Sequence, residues 1–251
     1  MTISATYLGI ELRRQARNFF TLAFVLAMPV VMYLLFGASA DYASVTAMHG
    51  NVAYTVMTSM AAYGTATAMT SLTSLAASEF SRGWGRQIAL TPMTTFSYAA
   101  TKVLVAVAYS ALSVAAVFLV GGLTGASVDA GWRWWATAGI ILGVGLMFGL
   151  FGLGVGMIFN SDSAAGIAPI LLTFFAFFGN VFMPLSGGML DAAHFTPLYG
   201  FVALARWPQL EGHLSSGGSD PLWMLVLSVV VWSLIFALLV RLGIRRTRGR
   251  Q

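Results

Sequence analysis

The chain has 251 residues, of which 58% are hydrophobic and only 8% are charged. A soluble domain carries about 25% charged residues, so this composition excludes an ordinary soluble globular domain and indicates an integral membrane protein. The net charge is +5, but the basic residues lie at the edges of apolar runs, which favours membrane topology over nucleic-acid binding. The absence of cysteine excludes disulfides, thiolate metal sites and cysteine nucleophiles.

Residues 1–18 precede the first apolar run, and they predict a helix that lies at the membrane surface. Ile3, Tyr7 and Ile10 follow the i, i+4, i+7 spacing of one helix face. Glu11 and Arg14 interrupt that face, so a frayed basic tail is the alternative to an interfacial helix.

Six apolar runs follow, and they predict an all-α polytopic membrane protein with six transmembrane helices. Their predicted ranges are Phe19–Gly37, Val52–Ala77, Tyr98–Leu123, Trp135–Phe159, Gly166–Met183 and Leu222–Leu242. The first run contains Pro29, which a membrane helix tolerates when a neighbouring group satisfies the carbonyl that proline leaves free. The second run is less apolar than the others because it is rich in threonine and serine.

The placement of the basic residues predicts the orientation. If both termini are cytoplasmic, only Arg133 and Arg206 of the 13 lysines and arginines lie outside. This excess on one side follows the positive-inside rule, and it predicts a multi-pass protein of the bacterial cell membrane with both ends inside.

Two longer loops interrupt the series of spans. The inner loop, residues 78–96, is long enough for a short helix. The outer loop, residues 184–221, contains apolar stretches broken by Pro197, Pro208 and glycines. These features predict an external helical hairpin that partly re-enters the membrane.

Sequence motifs for catalysis are missing. The only lysine, Lys102, follows Thr101 rather than glycine, so no P-loop is present and the chain has no ATP site of that type. The three histidines, His49, His194 and His213, show no metal-binding spacing. We therefore expect neither an enzyme nor a metalloprotein.

The inner loop carries an acid followed by arginines. Arg82 and Arg86 lie three and seven residues after Glu79, at helical spacing, and Leu90 belongs to the apolar patch that follows them. The alternative is an ordinary inner loop with interfacial anchors.

This loop resembles the segment between the second and third spans of type-2 ATP-binding cassette (ABC) export permeases. In that family the segment is a coupling helix that docks on a separate ATPase subunit. The residues that match are Glu79, Arg82, Gly83, Leu90, Thr91 and Pro92. We include the neighbouring Arg86 in the predicted coupling site. Trp84-Gly85 departs from the pattern, which leaves the length of the docking helix open.

The outer loop resembles the external signature of the same family. A phenylalanine-rich run reaches Pro184, a hairpin follows, and Pro197 and Tyr199 then precede Arg206. Gly187-Gly188 stands where a proline is usual early in the hairpin.

The resemblance implies one transmembrane domain over residues 1–251 that acts as the permease subunit of an ATP-driven exporter. It implies a drug, antibiotic or lipid-like cargo, a second permease copy or paralogue, and a cytoplasmic ATPase that uses ATP and Mg. No cofactor would be bound by this chain. The alternatives are a secondary transporter or channel driven by an ion gradient, and a membrane scaffold that transports nothing.

The second and fifth spans are the best candidates for a cargo path, because aromatic side chains beside sparse polar groups suit amphipathic cargo. The candidate residues are Tyr63, Thr67, Thr70, Phe174, Phe178 and Asn180. Alternatively, the phenylalanines face lipid and the threonines bond to their own helix.

The fourth span contains three GxxxG pairs, which allow close helix packing either within one subunit or between subunits. The pairs are Gly139/Gly143, Gly145/Gly149 and Gly152/Gly156.

Overall fold

A computed structural model describes residues 4–80, 90, 93–159, 162–214 and 216–248, without the side chains of residues 20, 21, 95, 162–165 and 246–248. Within this part the chain is an all-α membrane protein, as predicted. Arg82, Gly83, Arg86, Thr91 and Pro92 of the predicted coupling segment lie outside the described residues.

The helices are named here in chain order. They are α1 (Ala5–Ala16), α2 (residues 19–38), α3 (Val52–Glu79), α4 (Thr95–Leu123), α5 (Trp132–Phe159), α6 (Asp162–Phe178), α7 (Gly188–Ala193), α8 (Pro197–Leu210) and α9 (Leu222–Arg248). A short antiparallel pair, β1 (Thr46–Ala47) and β2 (Gly50–Asn51), precedes α3. Following the predicted topology, we call the end of the bundle with α1 the inner end and the end with α8 the outer end.

Helix α3 is the centre of the bundle. It packs against α4, α5, α6 and α8, and almost all of its 28 residues are buried. The side chain of Asn51 caps its first turn by accepting a hydrogen bond from the Tyr54 amide at 3.0 Å. The threonines and serines of the second predicted span therefore face other helices rather than lipid.

Three helical stretches in the described part of the chain are long and apolar enough to cross a membrane: Phe96–Leu123, Trp132–Phe159 and Leu222–Arg245. Ala23–Ala38 and Gly166–Phe178 are shorter apolar stretches. Helix α3 has the length, but its hydroxyl groups make it less apolar. The chain is thus a multi-pass membrane protein, and the count of six spans stays a prediction.

Pro29 shows how a break in a helix is repaired by its neighbour. Helix α2 alternates between α and π segments, and Pro29 follows the π segment Ala23–Ala27. Proline has no amide hydrogen, so it leaves the carbonyl four residues earlier, that of Val25, without its usual donor. The hydroxyl of Ser113 in α4 donates to this carbonyl at 2.8 Å. The expected compensation by a neighbouring helix is present.

Helix α1 forms, and the side that it buries in the bundle includes polar residues. Ser4 caps it by accepting from the Tyr7 amide at 3.3 Å, so this segment is a helix rather than a frayed tail. Ile10 is 57% exposed, whereas Glu11 and Gln15 are buried. An exposed Ile10 agrees with an apolar face turned to lipid, and the placement of α1 at the membrane surface stays a prediction. Helix α1 meets the bundle partly through the buried polar residues Glu11 and Gln15.

Several boundaries differ from the predicted ones. Helix α3 continues through Glu79 and α4 begins at Thr95, so the inner loop is shorter than residues 78–96. Helix α6 ends at Phe178 rather than Met183, because Asn180 takes a left-handed conformation with φ 57°. Two helices, α7 and α8, lie in the predicted outer hairpin.

The glycines of the three GxxxG pairs in α5 divide into two groups. Gly145, Gly149, Gly152 and Gly156 face α3, and a Cβ at Gly156 would lie 2.6 Å from the Ser74 carbonyl oxygen. A Cβ at Gly139 or Gly143 would meet nothing within 4 Å. Two of the three GxxxG pairs therefore serve packing within the subunit.

We expect Gly152→Ala to destabilise the bundle, because its new methyl group would overlap the Thr70 carbonyl and the Thr73 hydroxyl. Overpacking of this kind costs about 1–3 kcal/mol. The matched control is Gly143→Ala, whose methyl group meets open space. Thermal unfolding in detergent should show a lower midpoint for Gly152→Ala alone; equal midpoints for both variants would contradict the packing argument.

Candidate functional site

A cavity of about 470 Å³ opens at the outer end of the bundle. It lies between the end of α2, the start of α3, the loop after α6, and α8. Its lining is mainly apolar, and the larger apolar members are Phe36, Val45, Val56, Phe182, Met183 and Leu185. Its polar members include Thr55, Asn180, Tyr199, Arg206 and Asp220. Ligand pockets generally combine an apolar wall with a few polar groups, at volumes of about 300–1,000 Å³.

Asn180 shapes the wall of this cavity. Its side-chain Oδ1 accepts a hydrogen bond from the Leu185 amide at 3.0 Å, which folds the loop after α6 back on itself. Gly179 permits this loop to touch α8, because a Cβ there would lie 2.8 Å from the Cβ of Leu198. This turn places Phe182 and Pro184 in the cavity wall.

Arg206 projects from α8 into the same wall. Its Nε and Nη2 donate to the Ser59 hydroxyl at 2.9 and 2.7 Å, and Nη2 also donates to the Asn180 carbonyl at 3.0 Å. These acceptors are neutral, and no carboxylate among the described residues forms an ion pair with Arg206. Burial lowers the pKa of Arg206 to about 10, so its guanidinium remains protonated at neutral pH.

Tyr199 and Asp220 lie at another part of the cavity. The Tyr199 hydroxyl donates to Asp220, and the His194 Nε2 lies 3.1 Å from the other oxygen of the same carboxylate. Burial, and then the hydrogen bond to Asp220, raise the pKa of Tyr199, so the hydroxyl stays protonated and acts as a donor. Pro197 opens α8 after Thr196, whose hydroxyl oxygen accepts from the Tyr199 amide.

The predicted external residues therefore converge. Pro184, Tyr199 and Arg206 line the cavity together with Asn180, which was predicted from the fifth span. Ser59 accepts two hydrogen bonds from Arg206, and the sequence did not distinguish it from the many other hydroxyls of the second span. Phe36 was also missed, because no local pattern places the end of the first span beside α8.

The remaining predicted path residues lie apart from the cavity. Tyr63 bonds to the Thr173 hydroxyl at 3.1 Å, and its ring lies 5.2 Å from that of Phe182 in the cavity wall. Thr67 and Thr70 are buried in the bundle, whereas Phe174 and Phe178 are 58% and 39% exposed on its outside. Their roles in a cargo path stay predictions.

Four charged residues meet at the inner end, and we call them the inner charge cluster: Glu11, Arg14, Glu79 and Lys102. The Nζ of Lys102 lies 2.8 Å from Glu11 Oε2 and 2.9 Å from Glu79 Oε2. Arg14 Nη2 lies 2.7 Å from Glu79 Oε1 and 3.2 Å from Glu11 Oε2. Burial acts to lower the pKa of Arg14, but Glu79 and Glu11 outweigh it and the pKa is raised. The cluster joins α1, α3 and α4.

The predicted coupling segment begins beside this cluster. Glu79 uses both carboxylate oxygens within the chain, and Leu90 is 89% exposed.

A second ion-pair group lies at the outer end, and we call it the outer clasp: His49, Asp129, Arg133 and Glu211. The ring nitrogens of His49 lie 2.7 Å from Asp129 Oδ2 and 3.0 Å from Glu211 Oε1. Arg133 donates from Nε to Asp129 Oδ1 at 2.8 Å and also bonds to the Pro208 carbonyl. The hydrogen bond to His49 lowers the pKa of Asp129 against a smaller opposing effect of desolvation, and Arg133 adds to the lowering.

Comparisons with known proteins agree with this architecture. The family described as ABC-2 type transporter matches residues 6–210 of the chain. The chain is also 26% identical over 232 residues to the protein named "Putative transport permease YvfS" of Bacillus subtilis (strain 168). That alignment covers 91% of this chain and 91% of the relative.

We expect Lys102→Met to destabilise the protein strongly, because it leaves the buried carboxylate of Glu11 without its closest cation. Removing one partner of a buried ion pair costs about 3–5 kcal/mol. The double variant Glu11→Gln/Lys102→Met should lose less than the sum of the two single variants, because no unpaired charge remains at that contact. Unfolding midpoints in detergent measure both effects, and strict additivity would contradict the pairing.

The outer clasp predicts a dependence on external pH. Because the folded-state pKa of Asp129 is lowered, its ionised carboxylate stabilises the fold above the usual aspartate pKa of about 3.9. This contribution is lost as the pH falls through the lower folded value. Asp129→Asn should therefore lower the unfolding midpoint at neutral pH, and its difference from wild type should close below about pH 4.

The matched control is Asp41→Asn, an exposed outer residue with no ion pair among the described residues. Intrinsic tryptophan fluorescence can follow unfolding, since Trp132 and Trp134 lie next to Arg133. A difference for Asp129→Asn that persists unchanged at low pH would contradict the clasp.

Proposed function

The chain belongs to the ABC-2 type transporter family, and we propose on that basis that it is the membrane-spanning permease subunit of an ATP-driven exporter. The family match over residues 6–210 carries this proposal, because it covers α1 through α8 and so includes the inner charge cluster and the outer cavity. A transport permease role follows from the family; the direction of transport and the energy source are the proposed part.

A separate cytoplasmic ATPase would bind ATP and Mg and drive the cycle. Its docking site would be the inner segment after Glu79. Two features favour this segment: it follows the innermost residue of the central helix α3, and it ends just before α4. Because α3 packs against most of the other helices, a displacement of its inner end would also move α4, α5 and α8.

The outer cavity supports an amphiphilic cargo. Its wall is mainly apolar, and its few polar groups include Asn180 on the loop after α6, and Tyr199 and Arg206 on α8. A drug, antibiotic or lipid-like molecule would find both an apolar surface and hydrogen-bond donors there. We propose that such a molecule leaves the cell membrane on the side of this cavity, with both chain termini in the cytoplasm. A second permease copy or a paralogue would complete the path.

Replacement of Glu79 tests the coupling role. We expect Glu79→Gln to leave membrane insertion and partner ATPase activity intact while lowering ATP-dependent transport about tenfold or more. The reason is that Glu79 directly precedes the docking segment and would lose the charge-assisted contacts, roughly 1.5–3 kcal/mol each, that hold it to Arg14 and Lys102. The measurement is cargo flux and phosphate release in vesicles that contain the permease and its co-purified ATPase.

Glu11→Gln is the matched control, because it removes the other carboxylate of the inner charge cluster and leaves Glu79 in place. Equal losses of transport in Glu79→Gln and Glu11→Gln would show that transport requires the intact inner charge cluster. That result would contradict a docking role specific to Glu79. Transport that continues without ATP and follows an ion gradient would replace the proposal with a secondary transporter. Absence of both flux and ATPase association would indicate a scaffold.

A further inference from the structure

We propose that the outer cavity binds an amphiphile with one anionic group, a phosphate or a carboxylate, that pairs with Arg206 while its apolar part occupies the cavity. This inference rests on the proposed function in one respect only: it names the chemical class of the cargo. The binding site itself can be tested without transport.

The charge of Arg206 has no counter-ion among the residues that the structure describes. Its hydrogen bonds go to a serine hydroxyl and a backbone carbonyl, both neutral. A partly buried cation in an apolar wall is costly unless an anion pairs with it. Ionisable side chains at such positions are therefore functional candidates in membrane proteins.

The nearby carboxylates are already engaged. Asp129 and Glu211 belong to the outer clasp with His49 and Arg133. Asp220 lines the same cavity as Arg206, but it accepts a hydrogen bond from Tyr199 and contacts His194. Arg206 is thus the cavity cation whose charge is left for a ligand, within the part of the chain that the structure describes.

The guanidinium of Arg206 also has N–H donors that form no hydrogen bond within the described part of the chain. Arginine carries five N–H donors in a fixed fork. Nε and Nη2 use three of them, which leaves the two donors of Nη1 without an acceptor among the described residues. Asn180 lines the same cavity, and its Nδ2 likewise has no acceptor in the described part of the protein. Paired donors of this kind suit the oxygens of a phosphate or carboxylate.

The rest of the wall argues for an amphiphile rather than a free anion. Phe36, Val56, Phe182 and Met183 surround the polar groups, and a small hydrated anion would gain nothing from them. An apolar chain would bury apolar surface against these residues, which favours binding. Arg206 and Asn180 would therefore bind the charged group, and the apolar residues of the wall would contact the apolar part of the ligand.

Binding by the purified chain in phosphatidylcholine nanodiscs tests the inference. The probes are dodecyl phosphate and dodecanoate, with dodecyltrimethylammonium, dodecyl maltoside and inorganic phosphate for comparison. We expect wild type to bind one or both of the anionic amphiphiles at least about tenfold more tightly than the other probes, which corresponds to about 1.4 kcal/mol. The relative affinity of the phosphate and the carboxylate identifies the preferred anionic group.

Arg206→Gln should abolish this preference, and Arg206→Lys should keep much of it because the positive charge remains. Arg241→Gln, an exposed arginine near the inner end of α9, is the matched control and should bind as wild type does. Circular dichroism and unfolding midpoints confirm that each variant is folded.

Equal binding of charged and neutral amphiphiles would overturn the inference, as would an unchanged preference in Arg206→Gln. Binding of inorganic phosphate as tight as that of dodecyl phosphate would also overturn it. Tighter binding of the cationic probe would do the same and would point to Asp220. These outcomes are independent of ATP-driven flux. A chain that binds anionic amphiphiles but fails the transport assay would contradict the proposed function and leave this site standing.

Discussion

The close approach of α3 and α5 is the contact on which the rest of the bundle depends. Glycines of α5 remove the side chains that would otherwise hold the two helices apart, so backbone atoms of α3 lie where a Cβ of α5 would stand. Between helices in a membrane there is little hydrophobic driving force, and small residues supply association through van der Waals contact. With α5 in place, α4, α6 and α8 can surround α3 and bury its hydroxyl groups.

Charged side chains are arranged differently at the two ends of the buried helix α3. At the inner end, the last residue of α3, Glu79, is tied to α1 and α4 through Arg14 and Lys102. At the outer end, Ser59 of the same helix receives the guanidinium of Arg206 from α8. The first group is neutralised within the protein, whereas Arg206 has only neutral acceptors in the described part of the chain. Because of this difference, we propose that the inner charge cluster transmits movement between helices and that the outer cavity binds a ligand.

Local physics made several features predictable. Pro29 had to leave a carbonyl free, so a donor from a neighbouring helix was expected, although the sequence could not name Ser113. The polar character of the second span was visible, but its cause was not, because hydroxyls facing a water-filled path and hydroxyls packed between helices look the same in sequence. Helix α1 shows a similar limit: its apolar spacing indicated a surface helix but gave no sign that Lys102, far along the chain, would pair with a buried Glu11.

The sequence by itself determined the membrane class, the helical fold, the basic bias towards one side and the order of motifs that resembles the transporter family. All of these depend on composition or on short spacings, which need no knowledge of distant contacts. Only the tertiary structure decided which glycines face α3, which carboxylate meets Lys102, and that Asn180, Tyr199 and Arg206 line one cavity. Those outcomes depend on how separate helices pack, and packing brings together residues that no local pattern relates.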